Sequence, residues 1–253
     1  MLRALAGLLV VAALKLLGSF PPNLIVAIGT PFLLLYIPIK RNVRRRFREI
    51  NSLVPFDMPS SLTYYRMRLR LTALSLRHLM GHEHDVSIQV EGEECYASAL
   101  ATGKPVVLLG WHQGPVELLH RLPPLASDDK AFYIFTGKGF SPIFTRLLHK
   151  GRKQNGKQSV EPKDQAAALR SWSRRRGLIA VMMDQVPGKP REWLSLWNGA
   201  VEIPIPQNLL EWMREREAIF IAVSVRLEND GPVLFRYELV GPDLKGLKSL
   251  IET

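Results

Sequence analysis

Two short, uninterrupted apolar runs constrain the fold of this chain more than any other feature. Residues 106–111 read VVLLGW, directly after Lys104-Pro105, and residues 178–183 read LIAVMM. A continuous apolar run of this length between turn-forming residues is typical of a strand that is buried inside a sheet. Each run therefore predicts a buried strand.

The rest of the chain alternates between predicted helices and predicted strands. In residues 60–80 the apolar positions recur at helical spacing, whereas residues 86–90 alternate apolar and polar as an exposed strand does. Further helices are predicted over residues 93–102, 141–149 and 164–176, and further strands over residues 130–135, 218–225 and 233–240. Strands that alternate with helices predict an α/β fold with a mixed central sheet flanked by helices.

The N-terminal segment predicts a helical membrane anchor. Residues 4–20 and 23–39 are largely apolar; Lys15 interrupts the first stretch and Pro21-Pro22 separates the two. Each is a little shorter than the roughly 20 apolar residues of a clean spanning helix. We expect a helical pair that enters the membrane, or one tilted span followed by an interfacial piece, with a soluble amphipathic hairpin as the alternative. The predicted domains are an anchor over residues 1–48 and a second domain over residues 49–253.

The charge of the chain predicts an acidic partner. The formal net charge is +11, and six of the basic residues lie directly after the apolar segment: Lys40, Arg41, Arg44, Arg45, Arg46 and Arg48. Basic residues beside a membrane segment stay on the cytoplasmic side and attract anionic headgroups. The alternative is a solvated basic helix face. Nucleic acid is not an expected partner, because no binding motif accompanies the charge.

The segment after the first apolar run carries the candidate catalytic residues. It reads His112-Gln113-Gly114-Pro115-Val116-Glu117. On one continuous helix two residues five apart are about 140° apart and would not face each other. Pro115 suits the first helical position, however, which makes Gly114 the cap and leaves His112 before the helix, free to turn back toward Glu117.

A histidine that a carboxylate orients in this way is a general base suited to neutral pH. The unpaired N–H groups at the helix start could receive an oxyanion or a phosphate, so Gln113 and Gly114 are candidate substrate-binding residues. The structural alternative is a histidine without a catalytic role.

Several other kinds of site are not expected. The single cysteine, Cys95, excludes an intramolecular disulfide and a multi-cysteine metal site. The cluster HLMGHEHD, residues 78–85, does not have the spacing of a common zinc signature, so no metal site is predicted. The chain also contains no Gly-x-Ser-x-Gly elbow and no phosphate-binding glycine loop.

Three segments resemble the lysophospholipid acyltransferase superfamily, and most of all its branch of bacterial lipid A late acyltransferases. They are VEGEECYASALATGKPVVLLGWHQGPVE, GRKQNGK and LRSWSRRRGLIAVMMDQVPG. The shared pattern is a short helix, a Gly-Lys turn, an apolar strand, and a histidine separated by four residues from an acidic residue. A basic segment, a helix and a strand that ends in aspartate follow it. The resemblance covers roughly residues 20–225.

The resemblance implies roles for individual residues. His112 would be the base and Glu117 its orienting partner, with Asp184 and Gln185 at the same site. Further substrate-binding roles would fall on Arg152, Asn198 and Gly199. Where the family has an Arg-Pro-Asn-like segment, this chain has Thr136-Gly137-Lys138-Gly139, so Lys138 would supply the basic contact.

The resemblance also implies an activity. We expect transfer of an acyl group from an acyl-carrier protein, on its phosphopantetheine thiol, to a hydroxyl of a lipid A-type glycolipid. No other cofactor is expected, and the reaction would take place at the cytoplasmic face of a bacterial inner membrane. Two alternatives stay open: transfer of an aminoacyl group such as glycine from a carrier protein, and a non-catalytic membrane-binding or lipid-binding protein of the same fold.

Overall fold

The computed structural model describes much of the chain, in separate segments. They are residues 12–13, 15–39, 42, 45, 48–49, 52, 60–79, 87–111, 118–119, 132–135, 158–160, 162–183, 192–196, 199, 201–227 and 232–241. The chain divides into two compact units, one of residues 1–83 with 195–202 and one of residues 84–194 with 203–253.

The first unit is built on two packed helices, α1 (Pro22–Ile39) and α2 (Ser61–Leu79). They approach closely where a methyl group of Leu69 lies 2.6 Å from the position that a Cβ on Gly29 would occupy. Residues 15–19 are also helical, and the guanidinium of Arg77 donates a 2.8 Å hydrogen bond to the carbonyl of Phe20. Among the residues that the structure describes, no helix combines the length and the apolar composition that crossing a bilayer requires.

The second unit is built around a seven-stranded sheet. Its strands are β1 (Ile88–Glu91), β2 (Val106–Gly110), β3 (Phe132–Phe135), β4 (Gln158–Val160), β5 (Leu178–Met182), β8 (Ile219–Leu227) and β9 (Val233–Val240). Two further strands, β6 (Glu192–Leu196) and β7 (Val201–Ile205), pair with each other in a separate sheet. The helices of this unit are α3 (Glu93–Ala101), α4 (Gln165–Arg175) and α5 (Gln207–Arg214).

The strand order of the large sheet is β1-β9-β8-β2-β5-β3-β4. Strands β8, β2, β5, β3 and β4 are parallel to their neighbours in this group, whereas β9 runs antiparallel to β8, and β1 is parallel to β9. The sheet is therefore mixed, and together with its flanking helices it confirms the predicted α/β architecture.

The core lies on both faces of this sheet. On one face, Val107, Leu109 and Trp111 pack in a single cluster with Trp172 of α4 and Met213 of α5. On the other face, Tyr96 of α3 stacks on Tyr237 of β9, with ring centroids 5.3 Å apart. Helices thus cover both faces, as the continuous apolar run of β2 predicts.

Most predicted elements are confirmed within a few residues of their predicted bounds. The predicted helix over residues 141–149 lies outside the described residues. Strands β4, β6 and β7 and helix α5 were not predicted. A three-residue strand is too short to show periodicity, and Pro204 and Pro206 interrupt the pattern near α5.

A substitution at Gly92 should destabilise the fold. Gly92 has φ +74°, and a Cβ there would overlap the backbone carbonyl oxygen of Tyr237. Gly103 has a similar φ of +68°, but a Cβ there would have only Arg176 nearby, at 3.8 Å. We expect Gly103→Ala to cost about 1–2 kcal/mol of unfolding free energy, the cost of a left-handed backbone alone, and Gly92→Ala to cost more. Urea denaturation measures both; equal losses would contradict the close approach of Gly92 to Tyr237.

Trp172 should contribute strongly to stability. Its side chain is fully buried, and its indole N–H donates a 3.1 Å hydrogen bond to the carbonyl of Val106. Trp172→Phe removes that donor and leaves a small cavity, so we expect a loss of about 2–3 kcal/mol in unfolding free energy. The matched control is Trp193→Phe, because Trp193 is 52% exposed. If Trp193→Phe lost as much unfolding free energy as Trp172→Phe, the buried hydrogen bond would not be the cause of the loss.

Candidate active site

The carboxyl ends of three neighbouring strands meet at one edge of the sheet. Strand β2 lies between β5 and β8, and Gly110 is aligned with Met182 on one side and Val223 on the other. The contact continues past the strand end, where the N–H of Met183 donates a 2.8 Å hydrogen bond to the carbonyl of Gly110. In open α/β sheets, ligands bind at this edge.

Two candidate residues follow these strand ends in the sequence. His112 comes two residues after the last residue of β2, and Asp184 comes two residues after the last residue of β5. Trp111 and Met183, which precede them, are both buried in the same core cluster. In the sequence, one candidate segment begins at His112 after β2 and the other begins at Asp184 after β5. The parallel pairing of β2 with β5 is the structural feature that relates them.

Two unpartnered polar groups lie beside this edge. The indole nitrogen of Trp111 is buried and has no hydrogen-bond partner in the described structure, and the same holds for the hydroxyl of Ser224. Ser224 follows Val223, the partner of Gly110, so it is level with Trp111 in the sheet. It lies on the same face as Trp111, since Ala222 two residues earlier packs in the same cluster.

Such groups have an energetic cost. A buried donor or acceptor left without a partner costs about 1–3 kcal/mol, and most buried polar atoms in native proteins are paired. Two such groups at adjacent positions can donate to and accept from a bound molecule. Neither residue was predicted from the sequence as a site residue. The signal for Trp111 is its position next to His112, whereas nothing in the sequence relates Ser224 to it.

The described structure covers one of the predicted site residues. Gly199 is exposed and has φ +90°, in the connection between β6 and β7, which suits a glycine in a turn. The other predicted residues lie outside the described residues and stay predictions: His112, Gln113, Gly114, Glu117, Lys138, Arg152, Asp184, Gln185 and Asn198. Leu118 and Leu119, directly after Glu117 in the sequence, are buried in a 3-10 turn.

The remaining titratable groups of the second unit's core point to structural roles. Burial raises the pKa of Tyr96 and of Tyr237 well above that of a free phenol. Both side chains therefore stay neutral at physiological pH and cannot act there as bases. Their hydroxyls, like that of Ser224, are buried and unpartnered within the described part of the chain.

No metal site is visible in the described segments, where no three His, Cys, Asp or Glu side chains are grouped to hold an ion. Of the HLMGHEHD cluster, the structure describes His78, which is buried in α2, and Leu79. The other residues of the cluster lie outside the described residues.

The chain matches no protein-family model and no curated protein. The resemblance to the acyltransferase superfamily therefore stays a prediction from the motifs of the sequence.

Proposed function

We propose that the protein is an acyltransferase that moves an acyl group from an acyl-carrier protein to a hydroxyl of a lipid A-type glycolipid. The observation that carries this proposal is the parallel alignment of β2 with β5. Because of it, the segments that begin with His112 and Asp184 in the sequence follow adjacent strand ends. Enzymes with α/β sheets keep their catalytic groups at such ends.

His112 acts as the general base in this mechanism. Its neutral imidazole, held by Glu117, removes the proton of the acceptor hydroxyl as the oxygen attacks the thioester carbonyl. Backbone N–H groups at the start of the following helical turn stabilise the oxyanion. When the tetrahedral intermediate collapses, the carbon–sulfur bond breaks and the imidazolium returns the proton to the carrier thiolate. These steps require no metal.

The first unit supports association with a membrane. Helix α1 exposes large apolar side chains that water solvates poorly: Leu24, Ile28, Phe32, Leu34 and Leu35 are each 41–69% exposed. Such a patch on a protein marks an interaction surface. The basic segment over residues 40–48 follows α1 in the sequence and would meet anionic headgroups. We infer that residues 1–48 anchor the enzyme at the cytoplasmic face of a bacterial inner membrane.

The first test removes the proposed base. We expect His112→Ala to lower the transfer rate by about 10²–10⁴-fold, the usual contribution of a general base. Glu117→Gln should cause a smaller loss, because it removes the negative charge that holds the imidazole but keeps the shape of the side chain. The measurement is acyl transfer from a loaded carrier protein to lipid A precursor in membranes.

The control for this test is Glu94→Gln, since Glu94 is an exposed carboxylate on α3. It should retain full activity. Full activity in His112→Ala, with normal expression and membrane binding, would exclude His112 as the base and end the proposed mechanism. No transfer by the unmodified protein, together with an unchanged lipid A profile in cells without it, would favour a non-catalytic lipid-binding role. Mass spectrometry of lipid A from cells with and without the protein then identifies the group: the added mass separates a fatty acyl chain from glycine.

A second test concerns Trp111. Because its indole N–H makes no hydrogen bond within the described structure, Trp111→Phe should destabilise the protein less than Trp172→Phe. If the N–H donates to the substrate, kcat/KM should fall by about tenfold, as expected for one lost hydrogen bond. Unchanged kcat/KM in a folded Trp111→Phe variant would exclude the indole from the site.

A further inference from the structure

A concave site in the second unit lies between α4 and the end of α5. It is a groove of about 530 Å³. It is lined by Ala167, Arg170, Ser173, Arg174, Trp212 and Arg216. We call it the arginine groove. None of the residues proposed for acyl transfer is among its described lining residues.

The arginine groove is strongly basic. Among the described residues, three guanidinium groups line it and no carboxylate does, although Arg216 also forms an ion pair with Glu215 beside the groove, at 3.5 Å. Arg170 and Arg174 are one turn apart on α4, both are exposed, and neither forms an ion pair in the described part of the chain. Like charges four residues apart on a helix destabilise it slightly, so this pair does not serve the stability of α4.

The other side of the groove is held in a fixed geometry. The guanidinium of Arg216 lies 3.6 Å from the centre of the Trp212 ring, and its Nη1 donates a 2.8 Å hydrogen bond to the carbonyl of Trp212. The Trp212 ring in turn contacts Trp172, with ring centroids 6.1 Å apart. Trp172 is itself held by its hydrogen bond to the carbonyl of Val106 in β2. A cation that is already oriented loses less entropy when it binds an anion.

One end of the groove, formed by Arg174 and Arg216, lies at the amino edge of the sheet, opposite the carboxyl edge where acyl transfer is proposed. The last turn of α4 leads through Gly177 into the start of β5. The indole N–H of Trp172 donates a hydrogen bond to the carbonyl of Val106, the first residue of β2. Both contacts are at the amino edge of the sheet. At about 3.3 Å per residue, the length of β2 separates the two edges by roughly 13 Å. A ligand held by Arg174 and Arg216 therefore binds near the amino edge and not at the edge proposed for catalysis.

We propose that the arginine groove binds a phosphate group, as a phosphate monoester or diphosphate. Guanidinium groups form paired hydrogen bonds with phosphate oxygens, and Arg170 and Arg174, which have no ion-pair partner in the described part of the chain, would neutralise its charge. The site is a concavity of the size that encloses a small molecule or a headgroup, rather than a flat surface of the size of a protein interface. The phosphate comes from a soluble molecule or from the headgroup of an anionic lipid, and the experiment separates these sources.

The experiment measures binding by the full-length protein to two probes. Calorimetric titration with inorganic pyrophosphate tests the soluble source, and co-sedimentation with phosphatidylcholine vesicles containing phosphatidic acid tests the lipid source. For whichever probe binds in the groove, Arg174→Gln should weaken binding by about tenfold, because it removes charge-assisted hydrogen bonds. The double variant Arg170→Gln/Arg174→Gln should weaken binding further for the same reason. Both side chains are exposed, so the fold should be unaffected.

The matched control is Arg175→Gln, which removes the same charge from the next position of α4 but does not line the groove. It should bind both probes as the unmodified protein does. If pyrophosphate binds and Arg174→Gln weakens that binding, the ligand is a soluble phosphate compound. If only the vesicles bind and Arg174→Gln weakens that binding, the ligand is a lipid headgroup. The proposal is overturned if neither probe binds, or if Arg175→Gln weakens binding as much as Arg174→Gln. None of these readouts uses acyl transfer, so the result is independent of the proposed activity.

Discussion

The hydrogen bonding of β2 to two parallel neighbours positions most other elements of the second unit. All five residues of this strand are buried, with β5 on one side and β8 on the other. Because side chains alternate between faces, a shift of one residue in either pairing would exchange the two cores. The register is therefore strongly specified. It aligns Gly110 with Met182 and Val223, and so fixes which residues meet at the carboxyl edge.

The two edges of the sheet differ in how their polar groups are satisfied. At the amino edge the carbonyl of Val106 accepts from Trp172, the N–H of Val106 donates to Gly177, and the N–H of Ile219 donates to Pro105. At the carboxyl edge Trp111 and Ser224 have buried polar atoms without partners in the described structure. Backbone hydrogen bonds join the strands at both edges, including the one from Met183 to Gly110 at the carboxyl edge, but Trp111 and Ser224 are left unsatisfied there. Proteins tolerate that cost at sites that bind other molecules.

Three consecutive arginines at the end of α4 show how the fold separates identical residues. Arg174 lines the arginine groove, whereas Arg175 is exposed to solvent outside it. Arg176 has φ +50°, ends the helix and donates a hydrogen bond to the carbonyl of Gly103. A basic run that the sequence shows only as charge therefore includes a candidate ligand contact, a solvated residue and a helix cap. The helical rotation of about 100° per residue separates Arg174 from Arg175, whereas Arg176 differs because its left-handed backbone ends the helix.

The amino-acid sequence alone determined the class of the fold, because burial of a strand on both faces demands a continuous apolar run, as in β2 and β5. It also indicated the order of strand, histidine and carboxylate that motivates the proposed mechanism, through local chemistry that needs no tertiary contact. The order of the strands and the adjacency of Trp111 to Ser224, which are 113 positions apart along the chain, were decided only by the tertiary structure. The same is true of the arginine groove, whose walls come from two helices. Contacts between distant segments depend on how whole elements pack, and no local pattern of residues encodes that packing.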